Sequence, residues 1–306
     1  MEIVLSYQSS HQHWALVALC SGLYTEKLQH ASLMTDLNTL PPLRDVIATH
    51  NLRAEKSFGQ NFLLDLNLTA KIARQAGSLA GKHVIEIGPG PGGLTRALLA
   101  SDAENVTAIE FDPRCIEALQ SLKEASRERL ALIHGDALET NLTATTQAPR
   151  CIIANLPYNI ATPLLIKWLR NIYDSRNTYD AMVLMFQKEV AERIVASPGN
   201  KAYGRLAVIS QWLTNARIVM NIPPSAFTPA PKVHSSVVLL TPRKERLEAS
   251  FETVEKVTAK AFGQRRKMLR QSLKNYLEYF DPLEIDPTAR PEDLPHEKFI
   301  QLANII

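Results

Sequence analysis

A short motif of an amide, a proline and an aromatic ring follows an apolar run of the sequence. Residues 150–154 read RCIIA, which predicts a buried strand, and Asn155-Leu156-Pro157-Tyr158 comes directly after it. The side-chain oxygen of Asn155 and the backbone carbonyl of Pro157 can accept the two hydrogens of an exocyclic amine, and the ring of Tyr158 can stack on the base. The motif therefore indicates alkylation of an adenine amine. An ordinary turn, with Tyr158 as packing, is the alternative.

A glycine-rich turn is predicted between the first sheet strand and the next helix. The stretch Glu86-Ile87-Gly88-Pro89-Gly90-Pro91-Gly92-Gly93 satisfies the G-x-G-x-x-G pattern, and Glu110 follows at the spacing of a residue that binds ribose hydroxyls. The two prolines count against a dinucleotide, because each removes a backbone N–H that would hold pyrophosphate. S-adenosylmethionine has no phosphate, and Glu86 would supply a negative charge near its positive groups. An ordinary strand-end carboxylate is the alternative for Glu86.

Polar side chains end three successive predicted strands. Glu110 and Asn155 are two of them, and Asp136 in Gly135-Asp136-Ala137 is the third. The carboxyl ends of parallel strands line the ligand crevice of an open α/β sheet, so we expect these residues to meet there. Asp136 can accept a hydrogen bond from an adenine amine. Capping of the next segment is its other role.

Two loops contain further candidates for the same site. In residues 56–63, Gln60 and Asn61 are expected to close over the cofactor, while Phe62 and Leu63 anchor the segment in apolar surface. Phe227, in the proline-rich stretch 223–232, is a candidate second stacking face opposite Tyr158. Packing is the alternative for Phe227, and a plain glycine turn is the alternative for the first loop.

Basic residues are concentrated in two stretches. Segment 263–274 is the densest, and a helix over 265–277 is predicted to turn its Leu and Met residues inward and its cations outward. Such a face could bind RNA phosphates, although a solvated helix surface is equally compatible with the pattern. The candidate RNA-binding residues are Lys201, Arg205, Arg265, Arg266, Lys267 and Arg270.

Alternating strands and helices must position these residues. The pattern predicts a mostly parallel α/β sheet, with an antiparallel edge pair formed by its last two strands. The predicted strands are 83–87, 106–111, 130–134, 151–154, 181–186, 217–222 and 233–240. The predicted helices are 43–50, 65–75, 94–100, 113–122, 163–170, 188–196, 251–262, 265–277 and 295–305. We place a catalytic domain at 34–242 and a helical RNA-binding domain at 243–306.

Composition sets broad limits on the function. The 306 residues carry a formal net charge of only +3, so a nucleic-acid surface must come from local clustering. The three cysteines form no C-x-x-C pair, which argues against structural zinc and fits a cytoplasmic protein. The apolar run 14–20 is too short to span a bilayer, so no membrane partner is expected. Met34 is a candidate natural start, with residues 1–33 an upstream artefact or a disordered tail.

Taken together, the motifs resemble the rRNA adenine N6-dimethyltransferase family. The resemblance runs from Asp36 to the C-terminus and is carried by residues 56–63, 86–92, 135–137, 155–159 and 227–233. It implies a class I, Rossmann-like methyltransferase fold with a seven-stranded sheet and S-adenosylmethionine as donor. The implied cofactor contacts are Asn61, Leu63, Gly88, Glu110, Asp136 and Asn155, to which the residues themselves add Gln60, Glu86, Gly90 and Ala137.

The implied substrate is a pair of adjacent adenosines in the 3′-terminal hairpin loop of 16S rRNA, within the immature 30S subunit. We expect dimethylation of both N6 amines by a cytoplasmic monomer, with no metal and no covalent intermediate. The alternatives are a 23S rRNA methyltransferase of the antibiotic-resistance type, a ribosome-assembly factor with dispensable catalysis, and a nicotinamide dehydrogenase. Phe58-Gly59-Gln60-Asn61-Phe62 favours the small-subunit type.

Overall fold

The computed structural model describes Leu37 and residues 39–52 and 60–306. The predictions made for residues 1–33 and for Lys56–Gly59 lie outside this part of the chain. Strands occur at β1 Phe62–Leu63, β2 His83–Ile87, β3 Asn105–Glu110, β4 Leu130–His134, β5 Arg150–Asn155, β6 Ala181–Gln187, β7 Thr214–Ile222, β8 Phe227–Thr228 and β9 Ser235–Pro242.

The α-helices within the described ranges surround this sheet. They are α1 Leu43–Thr49, α2 Leu66–Ala73, α3 Gly93–Leu99, α4 Pro113–Ala118, α5 Gln120–Ala125, α6 Leu142–Thr145, α7 Ala161–Asp174, α8 Lys188–Val195, α9 Arg205–Leu213, α10 Phe251–Gly263, α11 Leu269–Ser272 and α12 His296–Ile305. Short 3₁₀ turns cover Arg74–Ala76, Pro224–Ala226, Lys274–Tyr279 and Pro291–Asp293. Asp65 caps the start of α2, because its carboxylate accepts from the N–H groups of Asn67 and Leu68.

Seven strands form the main sheet in the order β4-β3-β2-β5-β6-β9-β7. The first five run parallel, β9 is antiparallel to β6, and β7 is antiparallel to β9. This order confirms the predicted fold class and the predicted antiparallel edge pair. The carboxyl ends of β2 to β5 consequently meet at one edge, where a doubly wound sheet binds ligands. β1 and β8 pair separately as a two-stranded ribbon.

Side chains alternate between two apolar layers across the sheet. Val84 packs with α2 and α3 on one face, whereas Ile85 packs on the other face with α7 to α9. The C-terminal helices extend that second layer: Phe251 of α10 and Phe299 of α12 are fully buried in the same cluster as Ile85. Residues 243–306 thus share an apolar core with the sheet-forming part of the chain.

The prediction of one continuous helix over 265–277 is wrong. After α10 the backbone turns, and within 265–277 the structure has only the single turn α11 and the start of the 3₁₀ turn Lys274–Tyr279. The physical reason is that the Leu269 N–H donates to Ala289 O and the Arg270 N–H donates to Pro287 O, so a neighbouring segment takes donors that a helix would use internally. Helix α9 was not predicted, because its nearly continuous apolar sequence shows no clear helical periodicity.

Candidate active site

A deep cleft opens at the carboxyl edge of the sheet. It encloses about 1180 Å³, part of which is open to solvent, and is lined by residues 60–63, 86–91, 93–94, 109–112, 135–137 and 155–160. All of the residues predicted to bind cofactor lie in its wall, as do Pro157 and Tyr158. The structure therefore brings together side chains from four strand ends and from the β1 segment.

The glycine turn lets the β1 segment lie directly across the start of α3. Gly88 and Gly90 have φ angles of 66° and 56°, in the left-handed region that glycine adopts without strain. A Cβ on Gly90 would lie 2.9 Å from the Phe62 ring, and one on Gly93 would lie 2.4 Å from the backbone oxygen of Leu63. These glycines are thus required for close backbone approach, and one wall of the cleft depends on that approach.

Glu86 is a buried carboxylate with an unsatisfied oxygen. Its side chain lines the cleft at 2% exposure, and Oε2 has no hydrogen-bond partner among the described residues. Burial raises the pKa of Glu86 to about 8, the Thr95 hydroxyl acts in the opposite direction, and the nearby Glu110 carboxylate adds to the rise. A group placed to interact with a cationic ligand would have these properties. A ligand that carries a positive charge therefore fits this wall.

Glu110 organises the turns on either side of it. Oε2 accepts from the Gly90 N–H at 3.1 Å, and Oε1 accepts from the N–H groups of Phe111 and Asp112 at 2.8 and 2.9 Å. Burial is the largest influence on its pKa, which is raised, although the three N–H donors act to lower it. The carboxylate is consequently fixed at the cleft wall, where its remaining lone pairs can accept from ligand hydroxyls.

The Asp136 loop is held by a lysine from α7. The Asp136 Oδ1 atom accepts from the Leu138 N–H at 2.8 Å, and Oδ2 has no hydrogen-bond partner within the described residues. The Lys167 ammonium donates to the carbonyls of Ala137, Leu138 and Thr140 at 3.1, 2.6 and 2.8 Å. One cation thereby satisfies three carbonyls of the loop and fixes Asp136 beside the cleft.

The amide of Asn155 has a defined orientation. Its Nδ2 donates to the backbone oxygen of Asn61 at 3.0 Å, which joins the tip of β5 to the β1 segment. With Nδ2 engaged, Oδ1 is the atom left to accept from a ligand in the cleft. The Pro157 carbonyl accepts from Ile160 N–H at 3.2 Å and keeps a second lone pair.

Tyr158 lies in the cleft wall with its hydroxyl anchored. The hydroxyl shares a hydrogen bond of 2.7 Å with Ser235 Oγ at the start of β9. Burial raises the pKa of Tyr158, so the phenol stays neutral at physiological pH. The ring face is the part of the side chain available to contact a base.

Gln60, Phe111 and Asp112 form a further part of the cleft lining. Gln60 Nε2 donates to Asp112 Oδ2 at 3.4 Å, and Asp112 also accepts from the Arg114 guanidinium at 2.7 Å. The Arg114 side-chain hydrogen bond is the main reason that the pKa of Asp112 is lowered. Phe111 is 57% exposed, although it is a large apolar ring. Its position in the lining gives an apolar surface where a ligand ring could pack.

Comparison with known proteins identifies the family. Residues 51–306 match the profile of "Ribosomal RNA adenine dimethylase". The chain belongs to this family.

Curated relatives cover nearly the whole family region. The "Ribosomal RNA small subunit methyltransferase A" of Paracoccus denitrificans is 56% identical over 275 residues, which is 88% of this chain and 97% of the relative. The protein of the same name from Dinoroseobacter shibae is 54% identical over 278 residues, which is 89% of this chain and 99% of the relative. Among solved structures, a dimethyladenosine transferase from Plasmodium falciparum aligns with a TM-score of 0.69 at 27% identity, covering 79% of this chain and 95% of that one.

Family membership makes the chain an rRNA adenine methyltransferase, with S-adenosylmethionine as the methyl donor. Family membership thereby excludes the hypothesis of a nicotinamide dehydrogenase. The described part of the chain contains no helix that is long and apolar enough to cross a membrane.

Phe227 is not in the cleft wall. Its side chain is 4% exposed and packs in the apolar cluster that contains Leu63, the residue with which it pairs between β8 and β1. The position of Phe227 therefore gives no support to a stacking role opposite Tyr158. It corresponds to the packing alternative, because the ribbon turns this side chain toward the core.

The two basic stretches approach each other through Glu292. The Gly199 N–H donates to Glu292 O at 2.7 Å, and Arg265 pairs with the Glu292 carboxylate at 3.1 Å. Lys201 and Arg205 are exposed next to Gly199, and Arg266, Lys267 and Arg270 are exposed near Arg265. Loop 199–205 and segment 264–270 are therefore neighbours, although the sequence separates them by about sixty positions.

Sequence reasoning missed two residues of the cleft lining, Phe111 and Asp112. It also missed Ser235 and Lys167, which hydrogen-bond to the lining residues Tyr158 and Ala137. Lys167 lies on a helix and Ser235 starts a strand, and neither position carries a motif. Phe111 and Asp112 directly follow Glu110, so their place after a strand end was a usable signal.

Proposed function

We propose that this chain dimethylates the N6 amines of two adjacent adenosines in the 3′-terminal hairpin loop of 16S rRNA. The names of its curated relatives support small-subunit rRNA over the large-subunit alternative. We further propose that the substrate is the immature 30S subunit, and that the enzyme acts as a cytoplasmic monomer.

The orientation of Asn155 carries the proposal. Because Nδ2 is bonded to Asn61 O, Oδ1 is directed to accept one N6 hydrogen, and the Pro157 carbonyl supplies the second acceptor. Two acceptors fix the amine and stabilise the positive charge that develops on nitrogen. Tyr158 stacks on the extruded base beside them.

The remaining cleft residues hold the donor. S-adenosylmethionine supplies an electrophilic methyl group on a sulfonium. Glu86 balances its positive charge, Glu110 accepts from the ribose hydroxyls, and Asp136 Oδ2 accepts from the adenine amine. Gly88, Gly90, Leu63 and Ala137 shape the wall. The enzyme's main contribution is then positioning of amine and donor, and water can remove the proton from the alkylated nitrogen.

The basic residues are proposed to bind the RNA backbone. Lys201 and Arg205 are exposed on one stretch, and Arg266, Lys267 and Arg270 are exposed on the other. Arg265 already forms an ion pair with Glu292, so its contribution to phosphate binding should be smaller than that of the other basic residues. Phosphate contacts of this kind would make subunit affinity fall as salt concentration rises.

Replacing Asn155 tests the proposal. The Asn155→Ala variant should lose about 100- to 1000-fold in turnover, the range seen when one oriented transition-state contact is removed. Its affinity for S-adenosylmethionine, measured by titration calorimetry, should fall much less. Methylation is followed with labelled donor on under-methylated small subunits, and the modified nucleotides are mapped. Asn215→Ala, at an exposed position on β7, is the matched control. Near wild-type turnover in Asn155→Ala would contradict the assignment of Asn155 as an acceptor for the N6 amine.

A further inference from the structure

The hydroxyl of Tyr158 is tied to a residue far along the chain. Its partner at 2.7 Å is the Oγ atom of Ser235, 77 positions away. Ser235 is completely buried, whereas the Tyr158 ring lines the cleft. The hydrogen bond therefore connects the cleft wall to the interior of the sheet.

We propose that Ser235 is a positioning residue that holds the Tyr158 ring in the plane required to stack on the target adenine. The proposal rests on the function proposed above, in which Tyr158 contacts the base. Ser235 itself does not touch substrate. It acts through the hydroxyl at the far end of the ring.

The backbone of Ser235 is well suited to serve as a fixed anchor. β9 lies between β6 and β7, and Ser235 is in register with Gln187 on one side and Ile222 on the other. The preceding His234 carbonyl accepts from the Lys188 N–H at 2.9 Å. A side chain on such a strand cannot move without disturbing two ladders, so the position of Oγ is defined to within the freedom of one rotamer.

The Tyr158 side chain needs an anchor of this kind. Its ring follows a proline at the end of β5, outside the hydrogen-bonded ladder, and its χ2 torsion is broad. A half-buried phenol also requires a partner for its polar atom. Ser235 satisfies both requirements, because the same bond pairs the hydroxyl and fixes the ring. Burial keeps the phenol protonated by raising its pKa, so it can share a neutral hydrogen bond at physiological pH.

The neighbouring serine provides a matched control. Ser236 is also fully buried, and its Oγ donates to Asn221 Oδ1 at the same distance of 2.7 Å. Successive side chains of a strand point to opposite faces, so Ser236 is directed away from Tyr158. Ser235→Ala and Ser236→Ala therefore remove the same chemical group from adjacent buried positions, and only one of them releases the ring.

The test uses Ser235→Ala, Tyr158→Phe, their double variant and Ser236→Ala. Each is assayed for kcat and KM on under-methylated small subunits, for donor affinity by calorimetry, and for unfolding in urea. Loss of one neutral hydrogen bond predicts a fall in kcat of about 5- to 10-fold in Ser235→Ala and in Tyr158→Phe. The double variant should fall no further, since both changes remove one interaction. Donor affinity should be unchanged, and Ser236→Ala should keep wild-type kcat.

Tyr158→Ala, measured in parallel, separates the two claims. If it is inactive while Ser235→Ala and Tyr158→Phe turn over normally, the role of Ser235 is overturned and the proposed function stands. If Tyr158→Ala is itself fully active, the stacking role of Tyr158 and the anchoring role of Ser235 are both overturned, while the methylation itself stands. Additive losses in the double variant, or an equal loss in Ser236→Ala, would also overturn the anchoring role. Should Ser235→Ala fail to fold, Tyr158→Phe still decides, because it deletes the same bond from the partly exposed end.

Discussion

Ionisation of the buried Glu86 carboxyl group costs free energy, and a cationic ligand beside it can offset that cost. Its carboxylate is buried beside Glu110, and one oxygen has no partner within the described ranges. Ionising such a group in an apolar wall is costly, so the empty cleft favours the protonated form. Stability of the unliganded protein should consequently include a pH-dependent contribution from this residue.

The Glu86→Gln variant should remove that dependence. The pKa of Glu86 is about 8 in the folded protein and 4.5 in the reference state, so between these values the folded state holds a proton that the unfolded state has lost. Folded-state stability contributed by this group therefore falls as pH rises from 4.5 to 8, and is constant above 8. In urea denaturation without donor, the free energy of unfolding of Glu86→Gln should increase relative to that of the wild-type protein across this pH window, by on the order of 4 kcal/mol. Parallel pH profiles for the two proteins would contradict this assignment.

At the scale of elements, the position of the β1 segment depends on the close approach of its backbone to Gly93 at the start of α3. A Cβ on Gly93 would lie 2.4 Å from the Leu63 oxygen, and backbone cannot yield as a flexible side chain can. Gly93→Ala should displace the segment carrying Asn61 and weaken donor binding at least about tenfold, with a stability loss of roughly 1–3 kcal/mol. Calorimetric titration measures the first and urea denaturation the second. The control is Gly263→Ala, where the added methyl meets open space. Equal donor affinity in both variants would refute the role of the approach.

Helix α7 links the acceptor motif to the donor loop. It begins shortly after Tyr158 and carries Lys167, whose ammonium holds the carbonyls of loop residues 137–140. Lys167→Met keeps the apolar stem but leaves those carbonyls without their donor. Bonds to a charged group are worth about 1.5–3 kcal/mol, so donor affinity should fall roughly tenfold or more. Lys123→Met, on an exposed turn of α5, should leave it unchanged. If the dissociation constant for the donor is unaltered in Lys167→Met, loop 137–140 does not depend on Lys167 for its binding conformation.

The whole molecule has one continuous apolar layer across the boundary that sequence places at residue 243. Phe251 packs its ring 5.5 Å from Tyr173 and 6.0 Å from Trp212, and Arg170 pairs with Glu255 at 2.9 Å. These contacts join α10 to α7 and α9. Separating the two parts would expose large aromatic surfaces.

Heat should therefore unfold the intact chain in a single transition. Scanning calorimetry is expected to give a calorimetric enthalpy equal to the van't Hoff enthalpy, because the C-terminal helices and the sheet share their core. Phe251→Ala should lower that one transition rather than split it, with a loss of about 3–5 kcal/mol. Two resolved transitions in the wild-type protein would instead mean that residues 34–242 and 243–306 are independent folding units.

Sequence periodicity predicted the sheet well for a physical reason. Strands such as β2 and β4 are short apolar runs bounded by turn signals, and their limits agree with the prediction at both ends. Polar residues at strand ends were equally informative, because parallel topology brings Glu110, Asp136 and Asn155 to one edge wherever the rest of the chain goes. The motif residues at the strand ends therefore predicted where the cleft lies.

Only the tertiary structure decided which partner each polar group takes. The Asn155 amide meets Asn61, 94 positions away, and Lys167 meets carbonyls about 30 positions away. Packing also turned Phe227 into the core and broke the helix predicted over 265–277, since backbone donors there found partners in residues 287–289. Local sequence encodes the tendency of each segment, whereas these pairings depend on how distant segments fit together, and no local pattern contains that information.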